Sequence, residues 1–366
     1  MSTAKELLTE RRNGTDRIAR MLAGTKLNSD TRDSLAKLIY GLDPETKAAL
    51  ADAIASRRAA STPGSHEDGG KAPLVDLADE AFLEAFRARQ LAPIEAVPTP
   101  LPTWNRCCKD DGGKVGIARG WFIAIGGNTK SGKSLLALNV ADYAIAAGLA
   151  VGFVSLEMSV EQLTARFLAI CSGVPVAQLE KGVEFSSAAL DRAWGFLRER
   201  YDIGTERELR QTMLVNRNVL ANPEAVWKCM KTQYDEGCRF FVVDYLQLVS
   251  AGTEDDLYKQ VFAIANALRL FKDEYQVSIL GLSQYNRATS ADYTKSPVPQ
   301  SLHGGSIENG VDQVLLLDHS RYAKDDMNPH LARTWLRLAA NRHGDAGDIP
   351  VLWSYDTLRI REGMPD

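Results

Sequence analysis

The eight residues Gly127-Asn128-Thr129-Lys130-Ser131-Gly132-Lys133-Ser134 constrain this chain more than any other stretch. They match the pattern GxxxxGK[ST], and their setting gives the match a physical meaning. The apolar run Trp121–Ile125 before them reads as a buried strand, and Leu135–Ala147 after them reads as an apolar helix. A glycine-bearing loop that enters a helix aims backbone N–H groups and the positive helix end at an anion. Lys133 adds a cation for the β- and γ-phosphates of a nucleotide, and the Ser134 hydroxyl offers a ligand to Mg²⁺. Such a segment needs a strand–loop–helix unit. It therefore places the chain in the α/β class and assigns nucleotide binding to residues 127–134.

Further apolar runs follow at Val151–Leu156, Met213–Asn216, Phe240–Val243, Val277–Leu282, Val314–Leu317, Trp335–Asn341 and Val351–Trp353, with helical stretches between them. Near-continuous apolar strands alternating with helices predict a mostly parallel sheet covered on both faces. The 366 residues, 45% hydrophobic and 25% charged, allow one large core and a small accessory unit, and exclude collagen-like or wholly disordered chains. Lys and Arg number 43 against 47 Asp and Glu, a formal charge of -4, so no polybasic coat is available for nucleic-acid phosphates. A narrow channel for one strand stays compatible with that balance. No apolar stretch reaches the ~18–20 residues that span a bilayer, and Lys5 and Glu6 stand where a secretory core would begin. The expected location is the cytoplasm, with no membrane partner. The 5 cysteines lack CxxC spacing, so neither a disulfide framework nor a zinc site is expected.

Residues 1–60 read as short helices with breaks between them, a small helical N-terminal module. Residues 61–114 read as a linker region, breaker-rich over 61–70 and again from Pro93 to Pro102. Between those breakers an amphipathic helix is predicted over 74–91, with Leu74, Leu77, Ala78, Ala81, Phe82, Ala85 and Phe86 at helical spacing. Its apolar face needs cover, from its own core or from a neighbouring subunit. Residues 115–366 carry the predicted sheet.

Two acids stand at predicted strand ends. Phe240-Phe241-Val242-Val243-Asp244 ends an apolar strand in a carboxylate at the edge where open α/β sheets bind ligands, and Asp244 is expected to hold Mg²⁺ through water. Glu157 closes the strand Val151–Leu156 in the same way, where a carboxylate can orient or deprotonate the water that attacks a γ-phosphate. Position alone equally allows Glu157 to be a solvated residue capping the helix that begins near Ser159.

Ser155-Leu156-Glu157-Met158-Ser159, Asp244-Tyr245-Leu246-Gln247-Leu248, Leu282-Ser283-Gln284-Tyr285-Asn286-Arg287 and Gly305-Ser306-Ile307-Glu308 follow the phosphate loop in turn. In order and spacing they resemble the DnaB-type replicative helicases, over roughly residues 115–362. The resemblance implies a RecA-like P-loop NTPase core, preceded here by a small helical region and a linker helix. It implies a homo-oligomer, as a rule a hexameric ring, that hydrolyses ATP with Mg²⁺ and moves on single-stranded DNA in replication. Glu157 becomes the catalytic carboxylate beside Lys133 and Asp244, and Gln284 the sensor between the γ-phosphate and the DNA loops. Arg342 becomes an arginine finger that reaches the neighbour's γ-phosphate. DNA contacts fall in the loop Asn286–Gly305, at Arg287, His303, Gly304 and Gly305, where a glycine pair lets backbone N–H groups approach phosphates. Helix 74–91 would dock on the adjacent motor, and replisome or loader proteins are the further partners implied.

The chain also departs from the family pattern. The usual Lys-x-Arg pair becomes Ala340-Asn341-Arg342. By period 2, Ala340 and Arg342 share a strand face and Arg337 points to the other, so Arg337 does not replace the lysine. The channel loop is one residue short before Gly305, and His303 stands near the place of a family arginine. The family's large N-terminal collar does not fit into residues 1–60, so primase binding is not carried over. Two other readings use the same fold: a RecA/RadA-like recombinase, and an ATP-gated DNA-binding assembly factor that does not unwind. The amphipathic helix counts against the first, and ATPase stimulation by single-stranded DNA would count against the second.

Overall fold

Along Phe122–Gly127 every residue is buried, but successive side chains enter different cores. Ile123 and Ile125 join one cluster, and Phe122 and Ala124 join the other. Phe240–Asp244 divides in the same way, with Phe240 and Val242 opposite Phe241 and Val243. A strand that is apolar on both faces needs cover on both sides, and a computed structural model shows that arrangement. It describes residues 96–108, 116–201, 213–216, 222–244, 246–248, 257–286, 296–302, 307, 310–324 and 328–363, all within the compact unit Leu91–Asp366. The predicted module 1–60, the helix 74–91 and the DNA-loop residues Arg287, His303, Gly304 and Gly305 lie outside the described residues.

The described chain runs β1 (Ala96–Val97), α1 (Pro102–Cys107), β2 (Ile117–Ala118), β3 (Phe122–Gly127), α2 (Lys133–Ala146), β4 (Val151–Ser155), α3 (Val160–Ser172), α4 (Ser187–Arg200) and β5 (Met213–Val215). It continues through α5 (Pro223–Asp235), β6 (Phe240–Asp244), α6 (Leu257–Tyr275), β7 (Ser278–Gln284), β8 (Gln313–Lys324), β9 (Leu331–Asn341), β10 (Gly347–Ser354) and β11 (Ile360–Glu362). One 9-stranded sheet has the order β11-β10-β9-β8-β3-β7-β6-β4-β5. From β5 to β8 the pairings are parallel, and β9, β10 and β11 add an antiparallel flank. All the predicted strands are present in order, and the mostly parallel RecA-like α/β reading holds.

Two expectations change. Residues 96–108, assigned to the linker, belong to the compact unit that holds the sheet: β1 pairs with β2, and Leu101 and Trp104 are fully buried. Pro102, read as a breaker, instead starts α1 at a position where its missing N–H costs nothing. The indole Nε1 of Trp104 donates to Gln313 Oε1 at 3.0 Å, which ties α1 to the start of β8. The antiparallel strands are also longer than their apolar runs. On β9 only alternate residues are buried, among them Ala332, Thr334, Leu336 and Leu338, so polar neighbours interrupt the run. Among the described residues no helix is long and apolar enough to cross a membrane.

Candidate active site

The phosphate loop leaves β3 and enters α2 through Gly132, which has φ 89° and no space for a Cβ because the Trp353 ring lies against it. The first turn of α2 has no side-chain cap, so its N–H groups stay available to an anion. Lys133 is buried, and its Nζ donates to the carbonyls of Gly127 at 3.0 Å and Asn128 at 2.8 Å. Of 7 buried side-chain polar atoms without a partner among the described residues, five belong to Asn128, Ser131, Asp244 and Trp353. Native folds satisfy nearly all such atoms, so their concentration here marks the place of a polar ligand.

The charges agree with that reading. Burial pushes Lys133 down to about 8, against the opposing pull of Asp244 and Glu157. Burial pushes Asp244 up to about 6; the nearby Ser134 hydroxyl opposes this, Glu157 adds to it, and Lys133 and Arg166 oppose it. The Ser134 hydroxyl lies near Asp244, yet neither carboxylate oxygen makes a well-formed hydrogen bond. The cation thus lacks an anion and the anion lacks a cation. A nucleotide phosphate at Lys133 and a hard metal ion at Ser134 and Asp244 would satisfy both, and an oxygen pair with few protein ligands suits Mg²⁺. Among the described residues no group of three or more His, Cys, Asp or Glu forms a separate metal cluster.

Strand pairing brings the remaining groups together. β4 lies beside β6 with Ser155 opposite Asp244, so Glu157 emerges next to Asp244. The hydroxyl of Ser155 accepts from Met158 N–H at 3.2 Å and donates to Met158 O at 2.9 Å, which shapes the turn that carries Glu157. Ser159 caps α3 through a full capping box, so Glu157 is not that cap. β3 lies beside β7 with Gly127 opposite Gln284, whose Nε2 donates to Thr129 Oγ1 at 2.5 Å. A cleft of about 630 Å³ holds these groups, lined by Thr129–Leu135, Glu157, Gln162, Arg166, Gln284, Trp353 and Tyr355 among others.

The model of the DnaB-like helicase C terminal domain family matches residues 111–362. The chain belongs to this family. Over 254 residues it is 30% identical to the replicative DNA helicase DnaB of Leifsonia xyli subsp. xyli, covering 68% of this chain and 53% of that protein. Over 231 residues it is 26% identical to a probable plasmid replicative DNA helicase of Chlamydia psittaci, covering 62% and 48%. The chain thus spans about half the length of the curated relatives it matches. Among solved structures, a DnaB-like replicative helicase studied with its interactions with primase superposes with a TM-score of 0.62 at 20% identity, covering 78% of this chain and 68% of that one. A second, solved as an isolated ATPase domain, gives 0.63 at 20% identity, covering 81% and 100%. Both share the fold.

In this DnaB-family domain Arg342 stands apart from the cleft. It follows β9 at the opposite edge of the sheet, and its N–H donates to Asp312 O at 3.0 Å where β8 begins beside Ile123. The length of β3 separates that edge from the chain's own phosphate loop, roughly 20 Å for six residues. The facing argument for Arg337 fails, because β8 and β9 shift register between Val314 and Leu315 and leave Ala339 extra. Leu336 and Leu338 join one core whereas Ala339 and Ala340 both pack on the other, so period 2 does not carry across the bulge. Arg337 is nevertheless occupied, its Nε donating to Asp348 Oδ1 at 3.0 Å and Nη2 to Oδ2 at 3.3 Å.

Several site residues escape sequence reasoning. Trp353 reads only as the end of the apolar run Val351–Trp353 and Tyr355 lies beyond it, yet antiparallel pairing returns that end to the phosphate loop. Gln162 and Arg166 lie on α3, one turn apart on a helix with no motif of its own. Gln247 stands inside one of the motifs that carry the resemblance, but its role, like that of Asn216, has no local signal, because the groups they bond are 37 and 61 residues away.

Proposed function

We propose that this chain is an ATPase of the DnaB type, which binds ATP with Mg²⁺ and hydrolyses it between copies in a ring, as a rule a hexamer. The cycle would drive movement along single-stranded DNA and its unwinding in replication. One observation carries the proposal: Lys133, Ser134, Glu157 and Gln284 line one cleft with Asp244 buried beside Ser134, while Arg342 lies at the far edge of the same sheet. A cation in that position is out of reach of its own chain's phosphate loop, which supports a role at the site of another copy.

In the proposed reaction the Lys133 ammonium exchanges its loop carbonyls for the β- and γ-phosphate oxygens. Glu157 accepts a proton from the attacking water, and Gln284 reports the γ-phosphate to the chain that follows β7. Arg342 of one copy meets the charge that builds as the phosphoryl group leaves in the next. Mg²⁺ held by Ser134 and Asp244 would neutralise phosphate oxygens and so favour attack. Trp353 and Tyr355 offer aromatic faces to the base. Arg287, His303, Gly304 and Gly305 are the proposed contacts to DNA, and replisome or loader proteins the proposed further partners. The names of the relatives reported above, replicative helicases, favour this reading over the recombinase and the non-unwinding factor.

The test is ATP hydrolysis with and without single-stranded DNA at one stated salt concentration, for wild type, Glu157→Gln and Arg342→Ala. DNA stimulation that both substitutions abolish is the expected result. Hydrolysis indifferent to DNA and to Arg342 would instead leave a nucleotide-gated binding protein.

A further inference from the structure

The main-chain ladders end short of the catalytic tips. β4 and β5 are last paired at Phe153 and Val215, and β6 and β7 at Val243 and Gly281. Yet β4 continues to Ser155 and β7 to Gln284. Each tip keeps a true strand on one side, β6 for Ser155 and β3 for Gln284. On the other side each meets a carboxamide. Asn216 Oδ1 accepts from Ser155 N–H at 2.6 Å, and its Nδ2 donates to Ser155 O at 2.9 Å. Gln247 Oε1 accepts from Gln284 N–H at 3.1 Å, and its Nε2 donates to Gln284 O at 3.0 Å and to Ser283 Oγ at 2.7 Å. A carboxamide carries the same donor and acceptor as a peptide group, so each side chain replaces one residue of missing strand.

We propose that Asn216 and Gln247 are positioning residues, side-chain clamps that hold the strand tips from which Glu157 and Gln284 act. The proposal rests on the roles assigned to Glu157 and Gln284 above. The first clamp acts through Ser155, whose hydroxyl bonds both main-chain groups of Met158 and so hangs the Glu157 turn from the clamped residue. The second acts on Gln284 directly and leaves its side chain free to reach Thr129. Gln247 also follows Asp244 by three residues, so the segment that carries the metal ligand holds the sensor strand as well. Neither clamp lines the nucleotide cleft. Their effect is therefore on the placement of reacting groups, to which rates respond by as much as ~10²-fold per ångström.

Asn216→Leu and Gln247→Met roughly keep side-chain shape and remove the carboxamide hydrogen bonds, two at Asn216 and three at Gln247. In the full chain, each is expected to lower kcat about 10-fold with KM for ATP within about twofold, and to lower the melting temperature by a few degrees as main-chain groups of Ser155 or Gln284 lose a partner. The decisive measurement is single-turnover hydrolysis in double variants. Asn216→Leu adds no defect to Glu157→Gln, and Gln247→Met adds none to Gln284→Ala, whereas the crossed pairs multiply. Wild-type kcat in a single variant removes that clamp. A defect that multiplies in every background, with a raised KM, reduces it to a structural bond. If Glu157→Gln or Gln284→Ala itself behaves as wild type, the underlying assignment has failed, and that result is read before any clamp variant is considered.

Discussion

The two edges of this sheet are built in opposite ways. Where β3 ends, Asn128, Ser131 and Asp244 hold buried oxygens without partners. Where β3 begins, Asp312 is saturated: Oδ2 accepts from Phe122 N–H at 2.7 Å and Lys272 Nζ at 3.4 Å, and Oδ1 lies 3.2 Å from His343 Nε2. Asn341 next to it donates to Cys107 O and Asp345 O and accepts from Gln313 Nε2 and His343 N–H. The His343 ring stacks on Trp121 with centroids 4.3 Å apart. An unpaired buried polar group costs ~1–3 kcal/mol, so a fold keeps several together only where a ligand completes them. Full pairing, by contrast, would suit a rigid mount for an arginine proposed to act outside its own chain. One edge is a receptor and the other a support.

The sharpest way to break this contrast is Arg342→Ala. Hydrolysis should fall by ~10³-fold, at the low end for arginine fingers because Ala340 replaces the second cation, while nucleotide affinity is retained. Co-assembly with Glu157→Gln copies should restore activity, since each variant then supplies what the other lacks; no recovery would place Arg342 outside the reaction. Asp312→Ala should come next, lowering stability by about 3 kcal/mol as Phe122 N–H loses its partner, seen as a melting temperature several degrees lower.

Asp244→Asn should act in the opposite direction on the nucleotide-free protein. The carboxyl is raised from 3.8 to about 6, so its favourable contribution is complete below pH 4 and is lost as pH rises through 6. Above pH 6 the amide should therefore be more stable by roughly 2–3 kcal/mol, although Mg²⁺-dependent hydrolysis is lost, and thermal melts at pH 4.5 and 7.5 test the sign. The smallest effect belongs to Ser131→Ala. Removing a buried hydroxyl that has no partner should stabilise the nucleotide-free protein by about 1 kcal/mol, read by denaturant titration.

Much of the receptor edge was legible before any coordinates. The phosphate loop, Asp244 and Glu157 each follow directly from a buried strand, so a local pattern of apolar residues ending in a functional one locates them. The support edge was less legible. Arg342 came from resemblance alone, and the facing argument around it failed at a bulge that no periodicity announces. Trp104 shows the same limit, since the region 61–114 read as linker contains this residue, fully buried and bonded to a strand residue 209 positions away.

The sequence by itself determined the strand order along the chain, the parallel character of the sheet and the chemistry of residues 127–134, because these depend on neighbours within a few positions. Only the tertiary structure decided that Trp353 closes over Gly132, that Asn216 and Gln247 complete two strand tips, and that Arg342 lies away from its own site. Those features arise where distant segments pair in a register set by the packing of the whole sheet, and a side chain's partner is then fixed by geometry that no local pattern encodes.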